Sequence, residues 1–337
     1  FFKQKPAYAL GRGIPAEPLI RSHNFITPAT TSAIAQEVTL KASHNANATE
    51  PYGVGMRKMD ELLKEMTGGK ATIQVFDNAT LGDELESIQG TQLGTVDLAV
   101  TANETLANFV PDLSVFSLPF LFADAEQMDR ALQDPAVIAE TQKLLNAQGF
   151  HLVTFFSAGT RHIMTKKPIA QMADLKGLKI RTMQNPAHVD TFKAFGANPT
   201  PLAYTELYGA LETGVMDGAE AANTNFYAQK FYEVAPDWAM VGWLELVAPV
   251  IMGEAQYQAL PDDIKTALDE AGREAGAFQR ATYRDSDNAR IADIEAAGVE
   301  ITHPDVQPFR DAAEGVKAKY LQSDGQKALF EMISKVE

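Results

Sequence analysis

The chain has 337 residues, 45% hydrophobic and 22% charged, a globular composition whose length exceeds one small core and predicts two lobes or domains. It contains no cysteine, which excludes thiolate metal sites, thiol nucleophiles and disulfides. The formal net charge of -15 opposes binding to a phosphate backbone, so no nucleic-acid partner is expected, and any acidic ligand requires positive charge concentrated at its site.

Residues 1–36 stand apart. Ala33-Ile34-Ala35 before Gln36 has the small-x-small form of a signal-peptidase site, but residues 27–32 upstream are too polar for a signal-peptide core. They are read as an extension outside the fold. No apolar run is long enough to span a bilayer.

From Glu37 onward strands and helices alternate. Residues 38–43 (VTLKAS) predict a strand, 52–66 a helix ended by Gly68-Gly69, 71–77 (ATIQVFD) a second strand, 85–93 a short helix and 96–101 (VDLAVT) a third strand. A second run of the same kind starts near His151. Residues 151–157 and 162–165 read as strands separated by a turn at Ala158-Gly159-Thr160-Arg161, and 178–181 (LKIR) as another strand. Asn185-Pro186 reads as a helix N-cap followed by proline in the first turn, with Val189, Phe192 and Phe195 as the buried stripe. Residues 206–213 predict a further helix and 216–221 lead into a strand. The apolar stretch 238–251 suits a crossover between lobes. Residues 261–297 hold Ile264, Leu268, Ala271, Ala275, Phe278, Thr282, Ile291 and Ile294 near helical spacing, which predicts a helix roughly 55 Å long lying across both lobes. The rhythm implies parallel pairing and a doubly wound α/β sheet.

The common catalytic signatures GxSxG, HExxH, GxGxxG and the Walker loop are missing. His44, His151, His162 and His188 have no metal-ligand spacing and read as structural or surface residues, so neither a metal nor a cofactor is expected. Two arginines carry the functional signal. Arg161 lies in the glycine-containing turn, and Arg181 at the carboxyl end of the strand 178–181, the edge that faces the ligand crevice in open α/β sheets. A planar guanidinium holds a carboxylate with two parallel hydrogen bonds, which lysine cannot reproduce. The competing reading pairs each arginine with a structural acid or leaves it in solvent.

Residues 174–234 then carry a run of matching segments: KGLKIR at 176–181, GANPTP at 196–201, Glu206-Leu-Tyr208-Gly-Ala-Leu211, Asp217-Gly-Ala-Glu220 and a Tyr232-Glu-Val ending. In order and separation they resemble the core signature of the solute-binding proteins of TRAP (tripartite ATP-independent periplasmic) transporters, the DctP-like family. Leu40–Asn45 (LKASHN), residues 79–84 (ATLGDE), 116–122 (FSLPFLF) and 156–161 (FSAGTR) also look like family segments.

The resemblance implies a two-lobed periplasmic-binding-protein-like clamp (type II-like), each lobe a mixed sheet flanked by helices, with a long helix spanning both. Residues 37–158 with 247–286 would form lobe one, and 159–246 with 287–337 lobe two. It implies that Arg181 clamps a ligand carboxylate, with Arg161 as a second cleft arginine and Tyr204 packing on the ligand. Asn45 and Glu84 would come from the opposite lobe. Glu220 of the DG-x-E segment and Asn225 join this set. Trp243 either walls the cleft or belongs to the core. Where sialic-acid-binding relatives carry asparagine after that glutamate, this chain has Ala221, and Ala102 stands at their acidic position. A dicarboxylate, a hydroxy acid or a sugar acid is therefore expected instead.

The implied function is capture of a small carboxylate in the periplasm by a non-enzymatic, monomeric protein that delivers it to TRAP membrane subunits. Two other classes stay open at this point: an ABC-type or sensory binding domain with the same clamp, and an enzyme using Glu84, Glu206 and Glu220 for acid–base work.

Overall fold

Local chemistry fixes the element boundaries. Pro51 in the first turn and Gly68 in left-handed backbone bound the helix Pro51–Thr67. Asp83 accepts from the Glu84 amide at the start of Glu84–Leu93. Asn185 accepts from the amides of Ala187 (2.7 Å) and His188 (3.1 Å), capping Pro186–Ala194 as its sequence predicts. These elements come from a computed structural model, which describes residues 37–336. The expectation for residues 1–36 lies outside the described residues.

Nine strands form one sheet: β1 (Val38–Ser43), β2 (Ala71–Phe76), β3 (Leu98–Val100), β4 (Phe150–Thr165), β5 (Lys179–Thr182), β6 (Asn198–Pro201), β7 (Gly218–Ala221), β8 (Asp237–Gly253) and β9 (Glu300–Thr302). Their order is β2-β1-β3-β8-β4-β7-β5-β6, with β9 beside β8. The pairing is mixed, as the resemblance implies, and not wholly parallel as the strand–helix rhythm predicts. β1 pairs parallel with β2 and β3, and β5 with β6 and β7, whereas β3–β8, β4–β8 and β4–β7 are antiparallel.

The 16-residue β4 and 17-residue β8 run through both lobes. Phe150–Ser157 pairs with the carboxyl half of β8 next to β3, and Thr160–Thr165 with its amino half next to β7 and β9. The turn expected at 158–161 is instead a bulge inside one continuous strand: the register slips between Ser157 and Thr160, where Gly159 has φ 80°. A Cβ on Gly159 would lie 2.4 Å from Tyr283 Cε1.

The predicted long helix spans Asp262–Ala296, 35 residues. It straps the crossing strands. Gln279 exchanges two 2.8 Å hydrogen bonds with the backbone of Ser157, and Tyr283 donates to the Ala158 carbonyl at 3.1 Å. Farther along, Asp287 accepts from the Thr224 amide at 2.7 Å. The last helix, Asp324–Ser334, buries Leu329 and Ile333 among Phe116, Val137 and Phe150. Those three residues fall in the segment 37–158, whereas the sequence reading groups residues 324–334 with 159–246.

Candidate ligand-binding site

The carboxyl ends of β1 and β5 open on a cavity between the lobes, with about 620 Å³ free of atoms and partly open to solvent. Six of the residues singled out from sequence line it: Asn45, Glu84, Arg161, Arg181, Tyr204 and Asn225. Glu220 lies behind this wall, bound to both arginines. Trp243 does not line the cavity. It is fully buried, its ring edge-on to His188, Phe192 and Phe195.

Arg181 sits on β5 and Arg161 on β4, just beyond the bulge, and both are buried. Glu220, on β7, binds Arg161 Nε through Oε2 at 2.6 Å and Arg181 Nη1 through Oε1 at 3.3 Å. Arg161 also donates to the carbonyls of Ala158 (3.1 Å) and Glu220 (3.3 Å), and Arg181 Nε to that of Leu202 at 3.0 Å. Two guanidiniums and one carboxylate leave a net positive charge at the wall, the local concentration that the acidic chain requires. Burial works against the Arg161 charge, but adjacent Glu220 more than offsets it and raises its pKa. For Arg181, burial prevails over the more distant Glu220 and the pKa is lowered. Burial opposes ionisation of Glu220 too, yet the two guanidiniums hold it below the usual carboxyl range. Among the described residues, Arg181 Nη2 has no hydrogen-bond partner, which leaves one edge of the fork for a ligand.

The facing wall belongs to the first lobe. Glu84, in the first turn of its helix, accepts from the Ala102 amide at 2.9 Å and the Thr105 hydroxyl at 2.5 Å. Burial nevertheless pushes its pKa up to about 7. Asn45, just after β1, donates to Asp83 at 2.8 Å. Asp83 in turn accepts from Thr205 of the second lobe, 2.8 Å from its hydroxyl.

One residue escaped the sequence reading. Glu50, immediately before Pro51, is fully buried. Its side chain does not cap the helix that follows. Oε1 accepts from Asn225 Nδ2 (2.6 Å) and the Tyr204 hydroxyl (3.2 Å), and Oε2 from Gln229 Nε2 (2.7 Å) and the Asn47 amide (2.8 Å). Three of these donors come from the opposite lobe. An acid beside a helix-starting proline is ordinarily read as a partner for the helix dipole, and the only sequence cue was that Glu-Pro pair. Tyr283, which donates to Asn225 at 3.1 Å, was likewise read only as part of the long helix.

Of the three acids named in the acid–base alternative, Glu84 alone lines the cavity among the described residues. Glu220 is instead held between two arginines, and Glu206 does not line the cavity but accepts from the Ala203 amide at 3.3 Å.

Two lobes joined by crossing strands, with a guanidinium-lined cavity between them, define a solute-binding clamp. The sequence profile of the bacterial extracellular solute-binding proteins, family 7, matches residues 42–324, and the chain belongs to that family. A solute-binding protein of Verminephrobacter eiseniae is 31% identical over 89% of this chain and 90% of its own length. The 2,3-diketo-L-gulonate-binding periplasmic protein of Escherichia coli is 30% identical over 84% of this chain and 86% of its own. Among solved structures, a TRAP periplasmic solute-binding protein from Roseobacter denitrificans with bound β-D-glucuronate superposes with a TM-score of 0.84 at 31% identity, covering 89% of this chain and all of its own. One from Polaromonas with bound D-erythronate gives 0.84 at 30% identity with the same coverage. No helix among the described residues is long and apolar enough to cross a membrane.

Proposed function

We propose that this protein captures a small organic acid, of the sugar-acid class, in the cavity between its lobes and releases it chemically unchanged to the membrane subunits of a TRAP transporter, working as a monomer in the periplasm. The observation that carries this reading is the partner-free Nη2 edge of buried Arg181 on the cavity wall, backed by Glu220 and Arg161. The glucuronate, erythronate and diketogulonate of the relatives support the ligand class.

The clamp works by hinge closure. In the open state both walls are wet. A carboxylate meets Arg181 on the second lobe, and closure brings up Glu84 and Asn45 while expelling water, which strengthens charge-assisted bonds made only in the closed state. A micromolar ligand supplies about -8 kcal/mol, enough to overcome a modest preference for opening. Tyr204 would pack on the ligand while its hydroxyl stays on Glu50. The hinge falls at the β4 bulge, so that 37–158 with 247–286 moves against 159–246 with the segment from 287, the last helix Asp324–Ser334 travelling with the first lobe.

A thermal-shift screen of organic acids, followed by calorimetry on the hits, tests this, since a ligand that binds only the folded state raises its melting temperature. Arg181→Ala is expected to lose about 2–5 kcal/mol of binding while still folding. Full affinity in that variant, or conversion of the acid to product by the pure protein, would contradict the reading.

A further inference from the structure

The charges around the cavity are unequal in a way that bears on which acids fit. Among the described residues, two basic side chains line it, Arg161 and Arg181. Arg161 is already committed: Nε to Glu220 at 2.6 Å, Nη2 to the Glu220 carbonyl at 3.3 Å, and Nη1 to the Ala158 carbonyl at 3.1 Å and to Asn225 Oδ1 at 3.5 Å. Asn225 passes the contact on, since its amide nitrogen lies 2.6 Å from Glu50 Oε1. Arg161 is therefore matched by Glu220 on one side and, through Asn225, by Glu50 on the other. Arg181 is left as the one guanidinium with an unoccupied edge.

The first-lobe wall offers no cation to a second anionic group. It carries three carboxyl side chains, Glu50, Asp83 and Glu84. Glu50 is the most tightly fixed, with four hydrogen bonds on two oxygens, three of them from N–H groups that can only donate. The contacts from Tyr204, Asn225 and Gln229 also mean that this charge is fully enclosed only when the lobes meet.

We propose that Glu50 is a specificity-determining residue: its enclosed carboxylate, set between the lobes and linked to Arg161 through Asn225, restricts the cavity to acids with one carboxylate and hydroxyl groups elsewhere, and rejects their dicarboxylate counterparts. A second carboxylate would be stripped of water on closure beside the Glu50 carboxylate with no free guanidinium to meet it, and like-charge juxtaposition in a desolvated site is strongly unfavourable. Hydroxyl groups suit the same wall, because Glu84 has acceptor capacity left after its bonds to Ala102 and Thr105.

This inference rests on the organic-acid reading, and the test separates the two. Calorimetry would compare three monoanions, D-erythronate, D-gluconate and D-glucuronate, with the dianions that oxidation of their far ends produces: meso-tartrate for the first, D-glucarate for the other two. At least one monoanion is expected to bind, and its dianion at least about a hundredfold more weakly, the size of effect that one misplaced charge has in a closed site. Glu50→Gln, which keeps the shape and removes the charge, is expected to shrink that ratio by about tenfold or more, whatever happens to absolute affinity. If none of the three monoanions binds, the organic-acid reading falls and this inference with it. Similar affinities for monoanion and dianion would overturn the inference alone. If a folded Glu50→Gln protein keeps the full ratio, Glu50 is not the selector. The wild-type comparison decides the charge rule even if that variant fails to fold.

Discussion

Glu84, on the cavity wall, ionises in a range open to binding measurements. Burial lifts it to about 7 against the pull of its bonds to Thr105 and Ala102. A bound anion disfavours its carboxylate further, so linkage gives the sign: affinity is greatest where Glu84 keeps its proton and declines as pH rises above about 7. Titrations between pH 6 and 8.5 should show that decline, and Glu84→Gln should flatten it. Affinity that rises with pH over this range would contradict the assignment. Arg181→Lys should fare little better than Arg181→Ala, because one ammonium cannot keep the bonds to Leu202 and Glu220 and also present an N–H to the ligand. The arginines were legible in sequence because each stands at a strand position that an open α/β sheet turns toward its crevice. Glu50 was not, because its partners Tyr204, Asn225 and Gln229 lie more than 150 residues away and nothing local distinguishes it from an acid beside a helix terminus.

The bulge in β4 is where chain geometry and function meet. Gly159 combines φ 80° with the close approach of Tyr283, so Gly159→Ala imposes both backbone strain and a clash. It should destabilise the fold by about 1–3 kcal/mol or more in chemical denaturation; an unchanged stability would remove the constraint argued for this strand. Glu245 of β8 lies across from the bulge, 2.8 and 3.0 Å from the Thr160 hydroxyl, and burial raises its pKa from near 4.5 to about 7. Its protonated form suits the fold, so its favourable share of stability is complete below about pH 4.5 and lost as pH rises to 7. Glu245→Gln should therefore stabilise the protein by an amount on the order of 2 kcal/mol at pH 8 and by little at pH 4. A gain confined to acid pH would contradict this. Helices with strong caps and the strands β1, β2 and β5 could be read from their own residues. The continuity of β4 could not, since glycine marks a turn and a bulge alike and the strand that tells them apart, β8, begins 72 residues after β4 ends.

At the scale of the molecule, two strands and the 35-residue helix Asp262–Ala296 join lobes that also meet through side chains around the cavity. Besides the Glu50 contacts, Thr205 binds Asp83, Asn108 donates to the Gln184 carbonyl at 2.7 Å and Asn185 to the Glu104 carbonyl at 2.8 Å. Opening of the clamp, as proposed above, would break these contacts. Small-angle scattering should accordingly show the wild-type protein contracting on addition of a bound acid, whereas Arg181→Ala should not contract at the same concentration. The two-lobed plan was legible from length and from the run of family segments. The placement of the last helix was not, because the apolar positions of Asp324–Ser334 are satisfied equally by either lobe until the chain is folded. The most direct check on the whole account is a crystal structure with the acid that gives the largest thermal shift. The account predicts its carboxylate within hydrogen-bond distance of the Arg181 guanidinium, between closed lobes; an acid bound outside the cavity, or inside it with its carboxylate turned away from Arg181, would contradict it.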